Sequence, residues 1–178
     1  MTGHPDLDDS EFEFIELRNT GSVALDLRGV RFTEGIQFDF AAGSITTLEP
    51  GARVLVVRNA EAFSLRYGTG LPVAGEYTGL LDNSGERLRL EDGYGEKILE
   101  FTYDDLWSPI TDGHGFSLAI ADDTVEWTRW NDRESWRPNG ILDGTPGLVD
   151  PPLPTLPPVV INEVLTHSTG PQVDAIEL

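Results

Sequence analysis

The chain has 178 residues, with 12 Lys plus Arg against 31 Asp plus Glu and a formal net charge of −19. So acidic a surface repels phosphates at long range, which excludes an electrostatic duplex-DNA binder and leaves nucleic acid outside the expected partners. There is no cysteine, which removes thiol nucleophiles, Cys-ligated zinc, iron–sulfur clusters and disulfide frameworks, while 39% hydrophobic residues suit a globular core needing no metal.

Residues 1–10 are acidic and polar, unlike a secretory leader, and no run approaches the roughly 18 apolar residues of a membrane span, so no transmembrane segment is expected. Beyond them, short alternating apolar runs separated by Gly, Asp, Asn and Pro carry the period of half-buried strands. Val23, Leu25 and Leu27 share one face, Val30 and Phe32 follow Gly29, and Ile36, Phe38 and Phe40 follow Gly35. Glu49-Pro50-Gly51 predicts a turn before Arg53-Val54-Leu55-Val56-Val57, whose near-continuous apolar character predicts a central strand buried on both faces.

One segment breaks this period. Asn59 is placed to cap a short helix over residues 60–67, Phe63 and Tyr67 fall on one side of it, and Gly68 sits at its stop, which predicts a helix plugging an open end of the sandwich. Further on, residues 80–85 predict a turn, and residues 86–91 and 97–103 two strands joined at the hairpin signal Asp92-Gly93. Leu88 and Leu90 point inward on the first strand, as do Leu99, Phe101 and Tyr103 on the second. Phe116, Leu118 and Ile120 mark a further strand. The fold class is therefore all-β, a sandwich with one short helix.

After Gly144-Thr145-Pro146-Gly147, residues 150–158 are proline-rich and predict a stiff extended linker that reaches roughly 28 Å. The domain proper is then residues 1–149, and residues 159–178 open a second, truncated module that ends in mid-strand. An internal repeat supports that division. Phe12-Glu13-Phe14-Ile15-Glu16-Leu17 aligns without a gap on Val173-Asp174-Ala175-Ile176-Glu177-Leu178, and His4 and His167 precede the two copies. In both, the apolar phase slips by one, which predicts a bulge.

The same residues carry a family resemblance. Ile161-Asn162-Glu163-Val164 followed by Ile176-Glu177-Leu178, the run Ile15-Glu16-Leu17-Arg18-Asn19-Thr20-Gly21 and residues 136–147 resemble the lamin-tail domain, more narrowly its bacterial branch. Leu48-Glu49-Pro50-Gly51, residues 80–85, Tyr103-Asp104-Asp105 and residues 112–118 fall in the family's order. The resemblance covers most of residues 11–149 and restarts at 159. It implies an immunoglobulin-like β-sandwich, found in nuclear lamins and in bacterial secreted or surface proteins beside various enzymes, with no established catalytic residues and an extracellular or cell-surface setting. Such a module opens with a strand like Ile161-Asn162-Glu163-Val164, which residues 1–10 do not supply. The first module is therefore expected to lack its opening strand, with Val160, Ile161, Asn162, Glu163, Val164 and Leu165 filling the vacancy in cis or through a strand-exchanged homodimer.

Chemical signatures are sparse. No Gly-x-Ser-x-Gly elbow, phosphate-binding lysine loop or His-Glu-x-x-His pair occurs, so no catalytic residue is assigned and no enzyme is expected. His114, between two glycines, reads as a turn residue. Asp6, Asp8 and Asp9 with Asp104 and Asp105 are the candidate calcium ligands, as hard oxygen donors; Asp122-Asp123 forms another cluster, but none has the spacing of a calcium loop, and a solvated surface is the plainer reading. No cofactor beyond possible calcium is implied. Trp127, Trp130 and Trp136 with Arg129 and Arg133 form the candidate ligand surface. On a strand Trp127 and Trp130 would face opposite ways, leaving at least one ring for a protein or a cell-surface polysaccharide. Three functions follow in order: a non-catalytic interaction or spacer module of a multidomain exported bacterial protein, a carbohydrate or surface-ligand binder, and an accessory domain of an exported enzyme.

Overall fold

A computed structural model describes residues 7–151, 158–165 and 175–177. In chain order the first strands are β1 (Phe14–Arg18), β2 (Leu25–Asp26), β3 (Arg31–Glu34), β4 (Ile36–Asp39), β5 (Thr47–Leu48) and β6 (Arg53–Val57), followed by helix α1 (Ala60–Tyr67). After the helix come β7 (Val73–Glu76), β8 (Thr78–Gly79), β9 (Arg87–Glu91), β10 (Lys97–Thr102), β11 (Phe116–Ile120) and β12 (Trp136–Leu142). The short strands β13 (Glu163–Leu165) and β14 (Ala175–Glu177) follow the proline-rich stretch.

Two layers enclose the main core. One is the five-stranded sheet β10-β9-β3-β4-β8 and the other is the three-stranded sheet β1-β6-β7. Alternation sends Val54 and Val56 of β6 and Ile15 and Leu17 of β1 into a cluster with Phe32, Ile36, Leu88, Leu90 and Phe101 from the five-stranded sheet. Gly35, at φ +76, makes the tight turn between β3 and β4; a Cβ there would stand 2.5 Å from Leu88 Cδ2. The all-β immunoglobulin-like sandwich with one short helix is thus the architecture found, and β6 is a central strand between antiparallel β1 and parallel β7.

The helix forms where its caps require it. Asn59 Oδ1 accepts from the Ala62 N–H at 3.0 Å, and Gly68, at φ 85, ends the helix. It does not plug an end of the sandwich. Phe63 and Tyr67 instead pack with Phe14, Leu55 and Val57 on the outer face of the three-stranded sheet, forming a second small core. This explains why residues 53–57 are apolar on both faces. It also corrects the expected bulge, since β1 and β6 pair from Phe14↔Val57 to Arg18↔Arg53 with no register shift. The phase slip arises because Phe14 serves the helix-side core, Ile15 and Leu17 serve the main core, and Phe12 lies in a 3-10 turn, Asp9–Phe12, before the strand.

Two further expectations shift, and a third holds. Residues 23–27 form only the short β2, with Val23 exposed and Leu27 buried. The β9–β10 loop spans residues 92–96, as the expected strand bounds require; Asp92 Oδ1 accepts from the Tyr94 and Glu96 N–H groups, each at 2.9 Å, and Gly95 takes the positive φ. Trp127 lies in a 3-10 turn, Trp127–Arg129, with Trp130 at its C-terminal cap, so neither ring alternates along a strand.

The two faces of α1 predict opposite sensitivities. Phe63→Ala, which empties a fully buried site, should cost about 3–5 kcal/mol, whereas Leu65→Ala, at a residue 61% exposed, should cost under about 0.5 kcal/mol. Urea denaturation of the two variants measures the difference.

Candidate functional site

Strands β1 and β11 face each other across a cleft of about 1800 Å³. All five residues of each strand line it. Among the described residues β1 pairs only with β6, and β11 only with β12. The floor is apolar, built from Phe32, Leu88, Leu90, Phe101, Trp130 and Trp136. A strand lying there would join β7-β6-β1 to β11-β12 in one continuous sheet facing the five-stranded layer.

The rim is held in place by the segment after β12. Asn139, buried, donates from Nδ2 to Thr145 Oγ1 at 2.8 Å and to Asp150 Oδ1 at 2.6 Å. Thr145 Oγ1 donates to the same Asp150 oxygen at 2.7 Å. This network fixes the loop so that the Gly147 N–H reaches Glu16 Oε2 at 2.6 Å, while Arg53 Nε lies 2.9 Å from Glu16 Oε1. At the far end of the cleft Arg18 is paired with Asp123, beyond the end of β11.

Two carboxylates in the cleft wall have perturbed acidity. Burial raises Glu16 above the ordinary Glu range, opposed by the Gly147 N–H and by Arg53. Burial likewise raises Glu13, which accepts from the Tyr77 hydroxyl at 2.9 Å and the Leu81 N–H at 3.1 Å. Each is engaged by its own structural donors, so the two do not form an acid–base pair on a common substrate position.

The predicted ligand surface is not a platform of exposed rings. Trp136 stacks on Phe101 at 4.8 Å between centroids, Trp130 meets Trp136 edge-on at 5.8 Å, and Trp107 stacks on Trp136 at 6.3 Å. Both indole N–H groups are spent on the backbone, Trp130 on Val125 O and Trp136 on Trp130 O. Trp127 is half-buried with Lys97 Nζ 5.1 Å from its centroid, Arg129 pairs with Asp132, and Arg133 is exposed. The Trp/Arg segment thus splits between the cleft floor and separate surface positions.

The acidic residues are dispersed as well. Asp8 and Asp104 cap 3-10 turns, Asp9 lies 3.8 Å from Arg66, Asp122 holds Thr124, and Asp105 is half-buried. Among the described residues no three carboxylate or imidazole side chains converge as a metal site would require. Asp6, His4, His167 and most of the proline-rich linker lie outside the described residues, and His114 is an exposed bend residue.

Of the residues expected to complete the sandwich, Glu163, Val164 and Leu165 pair with β14 and not with β1, in the register Glu163↔Glu177, Val164↔Ile176 and Leu165↔Ala175. Residues 158–164 are all exposed, so in this arrangement they lie outside the cleft. β14 carries the same Ile-Glu pair as β1 and lies nearer along the chain, so the loop to be closed is shorter. Sequence reasoning missed β11 as the second wall and missed Asn139, Thr145 and Asp150 as the network fixing the rim.

A two-layer immunoglobulin-like sandwich with an edge-walled cleft defines an interaction module. The chain belongs to the lamin tail domain family, whose profile matches residues 2–105. No curated protein matches it. Among the described residues no helix is long and apolar enough to cross a membrane.

The acidity of Glu16 has a consequence for stability. Its folded-state value lies above that of an unfolded Glu, so the folded chain binds more protons between the two values and loses stability as pH rises through that window. As pH rises from the ordinary Glu range, the unfolding free energy of Glu16→Gln should therefore fall less than that of the parent chain, as measured by urea denaturation. An equal or steeper fall in the variant contradicts this account.

Proposed function

We propose that this lamin tail domain is a non-catalytic strand-accepting module of a multidomain bacterial protein, exported or displayed at the cell surface. One observation carries the reading: the unshared edges of β1 and β11 flank a single apolar groove. A strand edge beside an apolar floor is the receptor half of β-augmentation, in which backbone hydrogen bonds supply affinity and alternate side chains supply specificity. The chemistry in the groove wall supports binding over catalysis, because Glu13 and Glu16 are each committed to structural partners. The formal charge of −19 supports a protein partner over nucleic acid. The bacterial, extracellular setting rests on the family resemblance alone.

Hydrogen exchange tests the acceptor. A seven-residue peptide of alternating Val and Thr is added to a chain carrying Val160→Lys and Val164→Lys, exposed positions whose change keeps its own apolar tail from competing. Amides on the groove edges of both β1 and β11 should then slow together, by about tenfold or more at saturation. A proline-substituted peptide should leave them unchanged. Protection on one strand only, or on neither, removes the reading.

A further inference from the structure

The groove needs an occupant, and the chain carries a candidate. Val159, Val160, Ile161 and Val164 are 64%, 72%, 63% and 47% exposed, a run of large apolar side chains left in solvent. β13 and β14 form a two-stranded ribbon of three residues each, an arrangement of marginal stability when nothing else supports it. The groove offers the same donor pairing on two edges and an apolar floor.

The internal repeat specifies how the donor would sit. β14 contributes Ile176 and Glu177 to the ribbon, and these align on Ile15 and Glu16 of β1. Resting on the strand-accepting reading above, we propose that residues 159–165 of the same chain enter the groove antiparallel to β1, with Val164 opposite Ile15 and Glu163 opposite Glu16. Directly opposite residues of an antiparallel pair share a face, so Val160, Asn162 and Val164 turn toward the face that carries Ile15 and Leu17, while Ile161 and Glu163 turn toward the other. The opposed Glu163 and Glu16 carboxylates repel, a cost that the Arg53 guanidinium, 2.9 Å from Glu16 Oε1, offsets in part.

The tether makes the insertion intramolecular. Gly147 is bound to Glu16, and Asp150 is fixed by Asn139 and Thr145, so the chain leaves the first module beside the middle of β1. In this register Val159 stands opposite Thr20, four residues along from Glu16, or about 13 Å in an extended strand. Residues 151–158 span up to about 25 Å in polyproline geometry, enough to reach that point. A short tether also holds the donor at an effective concentration on the order of millimolar, which favours the chain's own strand over a second copy's.

The chain has no cysteine, so introduced pairs report position without interference. In the full chain, Arg18→Cys with Ile161→Cys and, as a second pair, Glu16→Cys with Glu163→Cys are directly opposed in the proposed register. Arg18→Cys with Val159→Cys and Arg18→Cys with Glu163→Cys are displaced by two residues, beyond disulfide reach. Mild oxidation should close at least one of the opposed pairs in most molecules, neither displaced pair, and leave the chain monomeric by light scattering. Complete closure of Glu163→Cys with Glu177→Cys while both opposed pairs stay open overturns the proposal. So do preferential closure of a displaced pair and a disulfide-linked dimer. If these pairs fail while the added peptide still protects β1 and β11 together, the groove remains an acceptor and only its occupant is wrong.

Discussion

Backbone N–H and C=O groups at a strand edge must find partners, and in this protein that requirement falls on β1. Its inner side is satisfied by β6 in an unbroken antiparallel register. Its side chains divide between two cores, Ile15 and Leu17 entering the main sandwich and Phe14 entering the cluster beneath α1. Only the outer edge opens on a groove, whose opposite wall is the unshared edge of β11. Removing β1 would take Ile15 and Leu17 from one core and Phe14 from the other.

Polar contacts tie the segment after β12 to one wall of the groove. Asn139 is buried, and its amide is satisfied by Thr145 and Asp150 on one side and by the Ile141 N–H on the other. A satisfied buried network of this kind fixes geometry more than it adds stability. Here it aims Gly147 at Glu16 and ties the exit of the domain to the middle of β1. A second buried amide does similar work at the other end of the strand: Asn19 Nδ2 donates to Val23 O and Leu48 O, each at 2.8 Å, so the chain leaving β1 is pinned to the β5 segment.

The same arrangement occupies the carboxylates of the cleft wall. A chain with 31 acidic residues brings carboxylates close together by composition alone, yet Glu13 and Glu16, which burial makes weaker acids than an ordinary Glu, are occupied by a tyrosine hydroxyl, an arginine and backbone amides. The aromatic residues follow suit. Trp130 and Trp136 spend their N–H groups on the backbone and their ring faces on Phe101 and on each other, so they supply a hydrophobic floor and not hydrogen bonds to a sugar. Such a floor suits the apolar side of an incoming strand.

Local patterns in the sequence determined much of this protein. Period-two alternation marked the main strands, Asn59 and Gly68 bounded the helix, the near-continuous apolar run at 53–57 placed a strand between two packed layers, and the Ile-Glu pair shared by the two ends of the chain falls in a strand in both places. Each of these signals resides in a few neighbouring residues, because strand period and helix capping are short-range properties. Only the tertiary structure decided that α1 covers an outer face, that β1 and β11 oppose across one groove, and that Asn139, Thr145 and Asp150 fix its rim. Those contacts join residues far apart in the chain, Glu16 to Gly147 among them, and a polar side chain looks the same in sequence whether it meets water or a partner 131 positions away. Pairing of β13 lay between the two: the repeat named both possible acceptors, but which one is joined depends on loop length and on what each edge can bury, quantities that no local pattern encodes.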